Sequence, residues 1–209
     1  MLFALARDRS LRGNSFYNNH YLQIMNWLFK LIFHLLGWKV QGNVPTVKKS
    51  LFVVSPHAST WDFPLGVITR AALGVKISYL GKKELFDSPF GFLFRWLDGF
   101  PVDRSSRTNF VQSVVDLYKN NDVLHLAIAP EGTRKPVEKL KTGFYYMAHN
   151  SQIPMILIGF EYPTRTILIS EPFYTTGNKE ADLKFIAQYF LTVKGVHKAW
   201  IANYLDGKF

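Results

Sequence analysis

The chain contains no cysteine. That excludes disulfides, thiolate metal sites and a cysteine nucleophile, and it leaves the redox compartment undetermined. It also lacks any run of about 18 or more consecutive apolar residues, so no membrane-spanning helix is expected. The opening MLFALARDRSLR does not read as a signal peptide: its apolar part is too short, and its charges follow that part instead of preceding it. Internal repeats, low-complexity tracts and linkers are missing, which points to one domain, and 209 residues suffice for a real core. No G-x-S-x-G elbow occurs. An RRM signature, zinc-finger spacing and a Lys/Arg stripe are equally absent, so no nucleic-acid partner is expected.

What is present is apolar, aromatic and basic. Hydrophobic residues make up 48% of the chain, which argues against disorder. Aromatics stand at 16%, with 18 phenylalanines, and suggest an apolar ligand or a membrane surface. The net charge of +10 fits nucleic acid, anionic lipid or a phosphorylated substrate, and charge alone does not choose among them. The segment LQIMNWLFKLIFHLLGW, residues 22–38, is apolar except for Gln23, Asn26, Lys30, His34 and Gly37. Asn26, Lys30 and His34 recur every fourth residue, which predicts a narrow polar stripe on an apolar helix. At about 1.5 Å per residue the helix is too short to cross a hydrocarbon core. Lying in the membrane interface with the stripe toward water is the expectation, and packing in the protein core is the alternative.

Further on, apolar runs alternate with amphipathic stretches. LFVVS (51–55), VLHLAIAP (123–130) and IPMILIGF (153–160) read as buried strands. WKVQGN, VKISYLG, GFPV and TILIS read as further strands. WDFPLGVITRAAL, SPFGFLFRWL, TNFVQSVVDLYKN, LKTGFYYMAHN and, last, KEADLKFIAQYFLTV read as helices. This alternation predicts an α/β fold: a single domain with a mostly parallel central sheet flanked by helices, preceded by the amphipathic N-terminal helix. In open sheets of this kind, ligands bind at the carboxyl ends of the strands. Three polar clusters fall there: His57 after LFVVSP, Arg104 after FPV, and residues 131–134 after LHLAIAP.

His57 and Asp62 stand in an H-x4-D spacing. An imidazole can take a proton from a hydroxyl near neutral pH, and a carboxylate on its other ring nitrogen fixes the tautomer and stabilises the cation formed. Alternatively, His57 is a loop histidine and Asp62 caps the following helix. Glu131, Gly132, Thr133 and Arg134 offer an acceptor, a tight turn, a hydroxyl and a fork donor suited to a phosphate. With Arg104, Lys82 and Lys83 they can form an anion pocket, or simply a solvated face.

The ordered set of H-x4-D, GKKELF…PFGFLFRWLDGFPVDR, PEGTR…KTG and IPMILIGF resembles the glycerolipid acyltransferases typified by lysophosphatidic acid acyltransferase. The resemblance runs from about residue 51 to 160. It implies an enzyme that moves a fatty acyl group from a thioester to a lysolipid hydroxyl, with no metal, no cofactor and no covalent enzyme intermediate. The co-substrate would be acyl-CoA or an acyl carrier protein thioester. His57 would be the general base and Asp62 its orienting partner. Arg104 would hold the acceptor phosphate, with Lys83 as a further phosphate contact, and Glu131, Gly132, Thr133 and Arg134 would shape the acceptor site. Two positions depart from the commonest family pattern: Pro56 precedes the histidine where Asn is common, and Lys135 follows E-G-T-R where Ser is common. The acceptor would be lysophosphatidic acid, giving phosphatidic acid, or another lysolipid such as lyso-ornithine lipid. A serine hydrolase using Ser55 or Ser59 is the competing enzyme class, and a lipid-binding protein without catalysis is the non-enzymatic one. Residues 1–40 are expected to associate with the membrane and 41–209 to form the acyltransferase domain, peripheral or monotopic on the cytoplasmic face.

Overall fold

The computed structural model describes residues 27–209 apart from 45, 58, 103–106, 196 and 197. The apolar runs become seven strands: β1 (Lys39–Gln41), β2 (Lys49–Val54), β3 (Ile77–Lys82), β4 (Gly99–Val102), β5 (Leu124–Ile128), β6 (Met155–Glu161) and β7 (Thr166–Ile169). The described helices are α1 (27–35), α2 (Asp62–Leu73), α3 (Lys83–Phe86), α4 (Gly91–Trp96), α5 (Arg107–Asn120), α6 (Gly143–Ser151), α7 (Lys179–Leu191) and α8 (Ala199–Leu205). The strands form one sheet in the order β1-β7-β6-β2-β5-β3-β4. Every neighbouring pair is parallel except β6 and β7. Those two are joined by a turn of four residues, and so short a link permits only an antiparallel partner.

Successive residues of a strand face opposite sides, and the core divides accordingly. Leu51, Val53, Met155 and Leu157 meet the side chains of α5, α6, α7 and α8 on one face. Phe52, Ile156, Ile158 and Phe160 meet Phe33 and Trp38, at and after α1, and Leu65 of α2 on the other. All seven residues of β6 are buried: the apolar run from Met155 to Phe160 suits a strand covered on both sides, and Glu161 at its end accepts the Thr164 hydroxyl and the Lys194 N–H.

The mostly parallel α/β domain agrees with the sequence reading, with two additions and one change. The four-residue α3 and the C-terminal α8 were not expected. The first helix stops at residue 35 instead of 38, because Gly37 takes φ +72° and closes the end: Gly37 N–H donates to His34 O and Trp38 N–H to Phe33 O. Of the predicted stripe, Gln23 and Asn26 lie outside the described residues. Lys30 and His34 are exposed, but so are Trp27, Leu28, Leu31 and Leu35, while Phe33 is buried. The described part of the helix therefore does not divide into a polar outer and a buried apolar face. No described helix is long and apolar enough to cross a membrane.

The C-terminal helices are seated through a glycine in the central sheet. A Cβ on Gly159 of β6 would lie 2.5 Å from Val193 Cγ2, just beyond α7. Gly159→Ala should cost about 1–3 kcal/mol by overpacking. In a Val193→Ala background that cost should largely disappear. Urea unfolding of the two singles and the double checks this, and equal costs in both backgrounds would rule out the clash as the cause.

Candidate active site

β2 lies between β5 and β6 and runs parallel to both. Three carboxyl ends therefore open side by side, and the site is built from the three segments that leave them. After β2 comes His57. After β5 come Glu131, Gly132, Thr133 and Arg134. After β6 comes Tyr162.

His57 Nδ1 lies 2.7 Å from Asp62 Oδ2. The Asp62 side chain is 4% exposed and that of His57 is 23% exposed, so the acid is inside and the imidazole reaches the opening. Asp62 begins α2, yet it does not cap it. Its Oδ2 also accepts the Ser59 N–H at 2.9 Å, and its Oδ1 accepts the Tyr162 hydroxyl at 2.5 Å. Burial by itself would raise the pKa of this carboxyl. The bonds from His57, Tyr162 and the Ser59 N–H outweigh burial and hold it below its usual value. Burial and the adjacent carboxylate push the Tyr162 phenol up, so it stays a donor. With Nδ1 committed to Asp62, Nε2 is the ring nitrogen left to meet a substrate hydroxyl.

Glu131 is 1% exposed and turned inward, under the histidine loop. Its Oε1 accepts the Ser55 hydroxyl at 2.7 Å and the His57 backbone N–H at 2.8 Å. Its part in shaping the site is to fix the histidine loop from beneath. Ser55, one of the two candidate hydrolase serines, thus spends its hydroxyl on Glu131. Ser59 Oγ accepts the Trp61 N–H at 3.1 Å. Arg134 is exposed and its Nη1 donates to Thr60 Oγ1 at 2.6 Å, so it leans across to the histidine loop. Thr133 Oγ1 accepts the Lys135 N–H at 3.2 Å, within its own turn. Gly132 sits at φ +65°, where a Cβ would come 2.7 Å from Lys141 Nζ.

His57, Asp62, Gly132, Thr133, Arg134 and Lys141 line a cleft of about 1140 Å³. Its inner wall is apolar: Phe52, Ile158, Phe160 and Ile167 from the sheet, Gly66 and Leu73 from α2. Lys83 begins α3, is exposed and does not line this cleft. Arg104 lies outside the described residues. Sequence reasoning missed Tyr162, for which no motif exists, and Lys141, which the basic character of KPVEKLKTG could have flagged. Among the described residues, no group of three or more His, Asp or Glu side chains is placed to hold a metal ion.

An α/β domain with a carboxylate-oriented imidazole, set where parallel strands end and opening on an apolar cleft, is equipped to activate a hydroxyl beside a hydrophobic chain. A family model described as Acyltransferase matches residues 37–161, more than half of the chain. The chain belongs to that family, the glycerolipid acyltransferases, and its domain is that of an O-acyltransferase. No curated protein and no solved structure matches it.

Tyr162→Phe removes one bond to Asp62. It should cost about 1–2 kcal/mol at pH 7. A carboxyl with a lowered native pKa stabilises fully above its unfolded value, near 4, and the contribution fades as pH falls through the native value. The gap in urea midpoint between wild type and variant should therefore narrow below about pH 4.

Proposed function

We propose that the protein transfers a fatty acyl group from acyl-CoA or acyl carrier protein to the hydroxyl of a lysophospholipid, with lysophosphatidic acid as acceptor and phosphatidic acid as product. The observation that carries this reading is the His57–Asp62 pair at the mouth of an apolar cleft. An acyl thioester with its chain in the cleft brings its carbonyl to the mouth. His57 Nε2 takes the proton of the acceptor hydroxyl as the oxygen attacks that carbonyl. The tetrahedral intermediate collapses with loss of the C–S bond, and His57 returns the proton to the departing thiolate. Asp62 stabilises the imidazolium between these two transfers. No cofactor takes part in these steps.

Arg134 and Lys141 at the rim suit an acceptor phosphate, Arg134 by its fork and Lys141 as a point charge. Arg104 and Lys83 are proposed as further phosphate contacts. Lyso-ornithine lipid carries a carboxylate beside its ammonium, which such a cationic rim also suits, and it stands as the alternative acceptor.

The substrates lie in bilayers, and the protein is proposed to work on the membrane surface as a peripheral or monotopic protein on the cytoplasmic face. Exposed Trp27, Leu35, Trp61, Phe90, Phe92 and Trp96 support this reading. The excess of cations adds attraction to anionic lipid, about 1 kcal/mol for each basic residue near the surface.

Thiol release from acyl-CoA and acyl carrier protein thioesters, measured over a panel of lysolipids, tests the proposal. Release should require an acceptor, be fastest with lysophosphatidic acid, and fall by about two to four orders of magnitude in His57→Ala and Asp62→Asn. Arg134→Ala should raise the KM for lysophosphatidic acid and leave that for acyl-CoA nearly unchanged. Acceptor-independent release lost in Ser59→Ala would mean a hydrolase instead.

A further inference from the structure

One cation reaches the site from far along the chain. Lys198 precedes α8, well beyond residue 161, where the family match ends. It is 6% exposed. Its Nζ lies 3.1 Å from the backbone oxygen of His57, 3.3 Å from that of Arg134 and 3.4 Å from Glu131 Oε2. An ammonium carries three protons and no acceptor, and burying it without partners is costly. Here all three partners belong to the two loops that carry the base and the rim arginine.

The backbone of His57 is thereby held at both ends. Glu131 takes its N–H and Lys198 takes its C=O. A lysine present only to neutralise Glu131 would need neither carbonyl, yet the carbonyl distances are the two shorter ones. The helix behind Lys198 is anchored to the same region. Leu140 N–H donates to the Tyr204 hydroxyl at 2.9 Å, Asn203 donates to Glu138 Oε2 at 2.7 Å, and Trp200 is fully buried.

We infer that Lys198 is a positioning residue: it ties the His57 loop to the Arg134 loop and so sets the separation between the base and the cation at the cleft's rim. This rests on the acyltransferase reading above. Misplacing a catalytic group by an ångström costs up to about a hundred-fold in rate, so the consequence is kinetic before it is structural.

The test is Lys198→Met in the full chain, assayed by thiol release with acyl-CoA and lysophosphatidic acid, alongside thermal unfolding. The expected result is a kcat about ten- to a hundred-fold lower per folded molecule, with the KM for acyl-CoA within about two-fold of wild type. A variant that melts earlier but keeps wild-type kcat per folded molecule overturns the inference and leaves the acyltransferase reading intact. If Lys198→Met fails to fold, Glu131→Gln/Lys198→Met, which removes both buried charges, is compared with Glu131→Gln alone. A slower double variant supports the positioning role, and equal rates overturn it. Wild type without acceptor-dependent release brings down the acyltransferase reading itself, and this inference with it.

Discussion

Parallel pairing on both sides of β2 is the constraint from which the site follows. A parallel strand delivers the residue after its last rung to the same edge as its neighbours, so three loops that are distant in sequence must emerge together. His57 stands in the middle of the three. Its orienting acid comes from its own loop, its floor from the β5 side as Glu131, and the second donor to its acid from the β6 side as Tyr162. The bonds from Glu131 and Tyr162 cross between segments that the sheet register sets side by side, whereas the His57–Asp62 bond closes within one loop.

Two carboxylates are buried at this edge, and they do different work. Asp62 is 5% exposed and Glu131 is 1% exposed, so each needs compensation for lost hydration. Asp62 receives an imidazole, a phenol and one backbone N–H, all aimed at the charged form, and its pKa stays low despite burial. Glu131 receives a hydroxyl and a backbone N–H on one oxygen, and on the other the ammonium of Lys198 as an ion pair. One acid orients the side chain of His57 and the other fixes its main chain. Neither role substitutes for the other: a correctly oriented imidazole in a slack loop would miss the hydroxyl, and a rigid loop with an unpaired imidazole would present the wrong tautomer.

The strands were the most legible part, because β2, β5 and β6 are short, predominantly apolar runs closed by turns. The alternation then implied a parallel sheet, and the sheet implied where His57 and Arg134 would meet. The role of Glu131 was less legible. As part of E-G-T-R it suggested an acceptor-facing residue, and only the inward course of the turn after β5 shows it supporting the histidine loop. Tyr162 carries no local signal: its place depends on β6 lying beside β2 in one register. Lys198 was illegible for the same reason at longer range, since it acts through the packing of α8, a helix the sequence reading did not contain. Spacing reports chemistry within a loop, whereas chemistry assembled across strands appears only with the topology.

The two faces of the sheet are covered unequally, and the cleft is lined by α2 from one side and by α5 and α6 from the other. Four helices, α5 to α8, fill one face with a continuous core. On the other face the described helical cover is α2 with the end of α1, and the smaller cluster there leaves apolar sheet residues such as Phe52 and Phe160 along an open cavity. Unfilled apolar wall costs stability that better packing would recover. A chain that keeps such a wall next to an oriented imidazole and beneath a cationic rim suits the amphiphilic substrates proposed above, with hydrocarbon at the wall and a charged head group at the rim.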